Sequence, residues 1–135
     1  PAHGSGHLAR ALLEGCAFAM RDVLDRLRDL GVAFDSVVLL GGGARSAVWA
    51  KIRADLMGLT VERPAVTDTS PVGAAVLAAV AAGIQPNLEA AAECVAGNAQ
   101  RIEPDADAFH VSNDAYGRYR NLFEALRPMF AGRVP

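Results

Sequence analysis

One stretch constrains this chain more than any other: Val37-Val38-Leu39-Leu40-Gly41-Gly42-Gly43-Ala44-Arg45-Ser46. A β-branched and leucine run fits a buried strand, Val37 to Leu40. Three successive glycines then take every Cβ out of the turn that follows. Backbone N–H groups in such a turn approach a flat or anionic ligand closely. Ser46 opens a helix predicted through Met57, carrying Trp49, Ile52 and Leu56, and its positive end faces back to the turn. Strand, glycine turn and helix N-terminus together form a nucleotide-site signature. A tight strand-to-helix connection needs the same residues, so the local motif leaves both readings open.

The rest of the chain supplies helices on either side. Leu8, Leu12, Gly15, Ala19, Val23, Leu27 and Leu30 recur at helical spacing and predict a helix over 5–30. Ser5 is its expected cap, and Gly31 its stop. Leu59 to Arg63 reads as a short edge strand ended by Pro64. Ser70-Pro71 reads as a helix start, with a third helix from Pro71 to Ala82. That helix has almost no polar face, so burial on most sides is expected. Gly83 and Pro86 end it, and Asn87 caps a short helix, Leu88 to Val95. Residues 97–108 read as a surface crossing. Ser112 or Asn113 caps a last helix, Asp114 to Phe130, whose stripe includes Tyr116, Tyr119, Phe123 and Leu126. Pro128 is expected to limit its final turn.

Alternating helices and strands mean an α/β domain with a largely parallel sheet. Two strands are few for three helices that need sheet surface, since sheets usually have about 4–6 strands. Strands upstream of Pro1 are therefore expected. Pro1 is not an initiator methionine, which predicts a processed chain or a piece of a longer one.

Bulk properties exclude several classes. At 135 residues and 52% hydrophobic, the chain suits one domain with a real core. Thirteen basic and fifteen acidic residues are scattered, giving a net charge of -2, which argues against a nucleic-acid surface. No apolar run reaches the ~18 residues needed to span a membrane. The first residues carry no signal-peptide pattern. Cys16 and Cys94 fall in helical patterns and are expected as buried free thiols in a reducing cytoplasm. His3, His7 and His110 share no metal-ligand spacing.

Four blocks carry a family resemblance. They are Leu8 to Phe18 continued by Arg21-Asp22-Val23-Leu24, Gly41 to Ser46 with Trp49, Ala54 to Gly58 running into Val61 to Pro64, and Ser70 to Ala79. In this order and spacing, over roughly residues 8–83, the chain resembles the C-terminal part of the FGGY carbohydrate kinases. The resemblance implies an actin-like ATPase (ribonuclease H-like) fold, with residues 1–135 forming an incomplete C-terminal portion of the nucleotide-binding domain. It implies ATP and Mg²⁺ as cofactors and transfer of the γ-phosphoryl to a sugar hydroxyl, D-xylulose becoming D-xylulose 5-phosphate. Carried over by motif, Gly42, Gly43 and Ala44 meet the adenosine, Gly43 first. Ser46 stands near the base or ribose, and Ala47 offers no polar side chain there.

In the family the catalytic base is an aspartate in a preceding domain, so the resemblance implies no catalytic residue here and an inactive isolated chain. Asp22, Asp35, Asp55 and Asp68 read as solvated or helix-end carboxylates. Arg10 and Glu14, four apart, predict a surface ion pair, although Glu14 remains a minor nucleotide candidate. Trp49 is expected in the core rather than on adenine. Apolar surface left by absent strands favours a homodimer. Two other classes stay open. One is a non-catalytic actin-like interaction module that keeps the glycine turn for structure. The other is a dinucleotide-binding oxidoreductase, which Gly41-x-Gly43 half-matches. Ser46 stands where its third glycine belongs, and no acidic residue follows the second strand at the usual distance.

Overall fold

Helix ends in this chain are set by a few local hydrogen bonds, and a computed structural model describes them for residues 2–95 and 97–130. The element order is α1 (Ser5–Asp29), β1 (Ser36–Val38), a 3₁₀ turn (Gly42–Arg45), α2 (Ala47–Met57), β2 (Thr60–Arg63), α3 (Thr69–Ala81), α4 (Leu88–Val95), β3 (Gln100–Ile102) and α5 (Ala106–Phe130). Contacts divide these into two compact units. One comprises Pro1–Ala33, Ile52–Gly58 and Pro104–Pro135, the other Phe34–Lys51 and Leu59–Glu103.

In the first unit, α1 is capped one residue earlier than expected, at Gly4 rather than Ser5. Gly4 is the N-cap, and its amide donates to Nδ1 of His7 at 3.2 Å. At the other end Gly31 N–H donates to Arg28 O and Val32 N–H to Leu27 O, which satisfies the last carbonyls. α2 ends at Met57, and Gly58 follows with φ +64°. A Cβ on Gly58 would lie 2.8 Å from the Phe109 ring, so only glycine fits both the backbone and the space.

α5 is longer than the sequence predicts. It starts at Ala106, not Asp114, because Asp105 caps it. Asp105 Oδ1 accepts from the Ala108 amide at 3.0 Å, and the Asp105 amide donates to Asp55 Oδ1 at 2.8 Å. The expected caps lie inside the helix with other partners. Ser112 Oγ donates back to Phe109 O, and Asn113 Oδ1 accepts from Arg21. The helix continues past Pro128 to Phe130.

Phe18 and Tyr116 are buried, with ring centroids 5.6 Å apart. Burial of such side chains contributes about 1.5–3 kcal/mol each. Arg21 lies over two rings, its guanidinium carbon 4.4 Å from the Phe109 centroid and 4.2 Å from that of Tyr116. It also donates to Leu56 O and Asn113 Oδ1. The Tyr116 hydroxyl donates to Asp25 Oδ2 at 2.9 Å. Burial, with the Asp25 carboxylate beside it, pushes the Tyr116 phenol well above the usual tyrosine range. Ala17, Ile52, Ala54, Leu56 and Met57 complete the buried set of this unit, and Arg53 is buried among the helical residues of α2.

The second unit is built on a three-stranded sheet in the order β1-β2-β3. β1 and β2 pair in parallel, with Val37 opposite Val61. β2 and β3 pair antiparallel, with Val61 opposite Ile102, so the sheet is mixed. Central Val61 is fully buried. β3 lies within the stretch expected as a surface crossing. Its residues carry no apolar alternation, and its pairing is held by its neighbour instead: Arg101 sits opposite Glu62 and ion-pairs with it at 2.7 Å.

α3 starts at Thr69 with Asp68 at the N-cap, rather than at Ser70-Pro71. Pro71 falls in the first turn, where its missing N–H would have no helical partner anyway. The expected burial of α3 does not hold, since none of its residues is buried. Val72, Val76, Ala79 and Val80 form a half-buried stripe, and Leu77 is 61% exposed. Hydrophobicity all round a helix shows what it could bury, not how many neighbours reach it. Cys16 and Cys94 are free but exposed, which corrects the expectation of buried thiols. No described helix is long and apolar enough to cross a membrane.

Candidate functional site

The glycine turn lies in the second unit, where β1 hands over to α2. β1 ends at Val38, and the Leu39 amide still reaches Glu62 O of β2 at 2.9 Å. Leu39 is buried and Leu40 exposed, so the chain leaves the sheet at this point. Gly41 then takes φ +74°, ψ -167°, a conformation L side chains rarely adopt. Its amide donates to Thr67 O at 2.7 Å. The turn is thereby fastened to the segment that follows β2.

Gly42 to Arg45 form a single 3₁₀ turn, closed by the Ala44 amide donating to Gly41 O at 3.1 Å. The four candidate residues are adjacent but differ in accessibility. Gly42 is exposed and Gly43 half-buried. Ala44 is fully buried with its amide spent inside the turn. Ser46 is exposed and extended at φ -88°, ψ 111°. Its Oγ accepts from the Trp49 amide at 3.2 Å, and its carbonyl accepts from the Ala50 amide at 3.0 Å. Ser46 therefore caps α2 from the residue before it, and its hydroxyl hydrogen is left to donate outward.

Gly42 is the informative residue. Its φ is not positive, so the backbone does not demand glycine. A Cβ there would meet nothing within 4 Å, so packing does not demand it either. The amides of Gly42 and Gly43 have no acceptor among the described residues. At Gly42 the turn presents bare backbone to open space.

The remaining candidates fall elsewhere. Trp49 is half-buried. Arg10 and Glu14 form the expected ion pair on α1. Asp22 lies 3.5 Å from Arg120, and Asp55 holds the Asp105 amide, so both carboxylates serve helix packing. Asp35 and Asp68 are exposed. Among the described residues, no group of three or more His, Cys, Asp or Glu could hold a metal ion. Thr67, which no local sequence pattern singles out, anchors the turn through its backbone carbonyl. Only the pairing of β1 with β2 brings it there.

A parallel strand pair, a glycine turn and a capped helix are the elements of an α/β nucleotide-type fold. Residues 1–82 match the model of the FGGY family of carbohydrate kinases, C-terminal domain, and the chain belongs to that family. The xylulose kinase of Escherichia coli (strain K12) is 34% identical over 130 residues, covering 96% of this chain and 27% of that protein. The glycerol kinase of Koribacter versatilis is 44% identical over 80 residues, covering 58% of this chain and 16% of that protein. The crystal structure of xylulose kinase from Rhodospirillum rubrum superposes with a TM-score of 0.78 at 35% identity, covering 96% of this chain and 26% of that one. The fold is accordingly part of the actin-like ATPase class. The chain spans about a quarter of the length of the xylulose kinases it matches.

Proposed function

We propose that this chain is the C-terminal portion of the nucleotide-binding domain of a carbohydrate kinase, and that its glycine turn holds the adenosine of ATP. Gly42 carries the reading: it is a glycine that neither backbone conformation nor internal packing requires. Space kept clear beside two unspent amides suits a ligand that approaches the backbone itself. Gly42 and Gly43 would present those amides, and Ser46 would add its hydroxyl hydrogen. Ala44, buried, would hold the shape of the turn.

Phosphoryl transfer depends chiefly on positioning and charge stabilisation. This chain would supply part of the positioning. Mg²⁺ would neutralise charge on the transferred phosphates, and it would arrive with them, since such ions are usually held by substrate phosphates plus one or two carboxylates. D-xylulose is the proposed acceptor, on the strength of the xylulose kinases among the relatives. The isolated chain would be inactive, because the family resemblance puts the catalytic aspartate in a preceding domain.

Calorimetric titration of adenosine and ATP into the full-length protein tests the reading. Saturable binding that is lost in Gly43→Val, with sugar affinity kept, is the expected result. Equal loss of nucleotide and sugar affinity would count against the assignment. Absence of nucleotide binding would favour an interaction module. Phosphorylation of D-xylulose by this chain alone would overturn the division of labour.

A further inference from the structure

A second feature of the same unit is an open pocket of about 400 Å³ lined by Arg45, Arg63, Thr67, Asn98 and Gln100, with Pro64 and Ala65. Two arginines and three neutral polar residues line it, with no aspartate or glutamate among the described lining residues. The carboxylate nearest to Arg63 in sequence, Glu62, is taken by Arg101 across the sheet at 2.7 Å. Successive residues of a strand point to opposite faces, so Glu62 is directed away from its neighbour.

Arg63 Nη1 is buried from solvent and meets no hydrogen-bond acceptor among the described residues. A charged N–H shut off from water without an acceptor is costly, and rotation of the guanidinium toward an oxyanion in the pocket would relieve it. We propose that this pocket is an oxyanion site that takes the phosphate of a small phosphorylated ligand. The planar fork of arginine matches phosphate oxygens two at a time. Thr67, Asn98 and Gln100 add donors that one carboxylate, with two oxygens, would leave partly unused. The volume lies within the usual range of small-molecule sites, about 300–1,000 Å³.

The pocket is joined to the glycine turn at two points. Arg45 is the last residue of the 3₁₀ turn, and Thr67 accepts the Gly41 amide through its carbonyl. Two sources would supply the phosphate: the tail of a nucleotide held at the turn, or a separate phosphorylated metabolite. The site is argued without the adenosine reading, and each stands or falls alone.

Pyrophosphate titrated into the full-length protein by calorimetry is the test. Saturable binding is expected, weakened tenfold or more in Arg63→Gln and severalfold in Asn98→Ala. Arg63→Lys, which keeps the charge and loses the fork, should fall between wild type and Arg63→Gln. Asn98 lies outside the helices and strands, so its variant decides the matter if Arg63→Gln does not fold. No saturable binding, or equal affinity in wild type and Asn98→Ala, overturns the proposal. Displacement of pyrophosphate by ATP but not by adenosine assigns the site to the nucleotide tail. Binding unchanged by saturating ATP assigns it to a separate ligand. Failure of adenosine to bind would sink the glycine-turn reading and leave this one in place.

Discussion

The Gly41 amide donates to the Thr67 carbonyl across 2.7 Å, linking two loops 26 residues apart in sequence. Both loops leave the same end of a parallel strand pair, β1 and β2. Parallel pairing is therefore what brings the glycine turn and the start of α3 into one neighbourhood.

Adjacent glycines in that turn should respond oppositely to alanine. Gly41→Ala forces a side chain onto φ +74° and should destabilise the protein by about 1–3 kcal/mol. Gly42→Ala meets open space and should be neutral or stabilising by up to about 1 kcal/mol, through a less flexible unfolded chain. Under the adenosine reading it should still weaken nucleotide binding about tenfold, or 1.4 kcal/mol. Urea unfolding and nucleotide titration of both variants read the two effects separately. Full affinity in Gly42→Ala would remove the main support for the turn as a binding element.

Gly58→Ala should be among the more damaging single-methyl changes in the chain. The added Cβ would lie 2.8 Å from the Phe109 ring, at a residue with φ +64°. Strain and overpacking together should cost about 2–4 kcal/mol. The shift in denaturant midpoint measures it, and a loss below about 1 kcal/mol would mean that the ring moves aside freely.

Alkaline pH should expose the contribution of Tyr116. Its phenol is raised above the ordinary value by burial first and by Asp25 second. The unfolded tyrosine loses its proton near pH 10, about the ordinary value. The native one does so only at higher pH, so above that point the native state holds more protons than the unfolded state. Stability is then full below about pH 10 and falls as pH rises toward the native pKa. Tyr116→Phe should flatten this decline while costing about 1 kcal/mol at neutral pH through the lost hydrogen bond. Unfolding free energies measured from pH 8 upward check both parts.

Cys16 and Cys94 should both react with a thiol reagent in the native protein, since both side chains are exposed. A colorimetric thiol assay should count both without denaturant. Reaction only after unfolding would show that the thiols are covered in the protein as it exists.

Local signals determined much of this chain. The strand–glycine–helix order, the ends of α1 and α2, and the family blocks all depend on residues within a few positions of one another. Glycine conformation, capping and helical spacing act at that range, so the sequence alone makes them legible. What it could not show were features decided by partners far along the chain. β3 is a polar strand of three residues that exists because Glu62 and Val61 lie opposite it. α5 is capped by Asp105 rather than by Ser112 or Asn113, whose side chains are engaged by Phe109 O and Arg21. The exposure of α3 and of both cysteines follows from how many neighbours reach them, which hydrophobicity does not encode. The same holds for the site. Its glycines are written in the sequence, whereas the anchor at Thr67 and the pocket shared by Arg45 and Arg63 exist only once β1 and β2 pair in register.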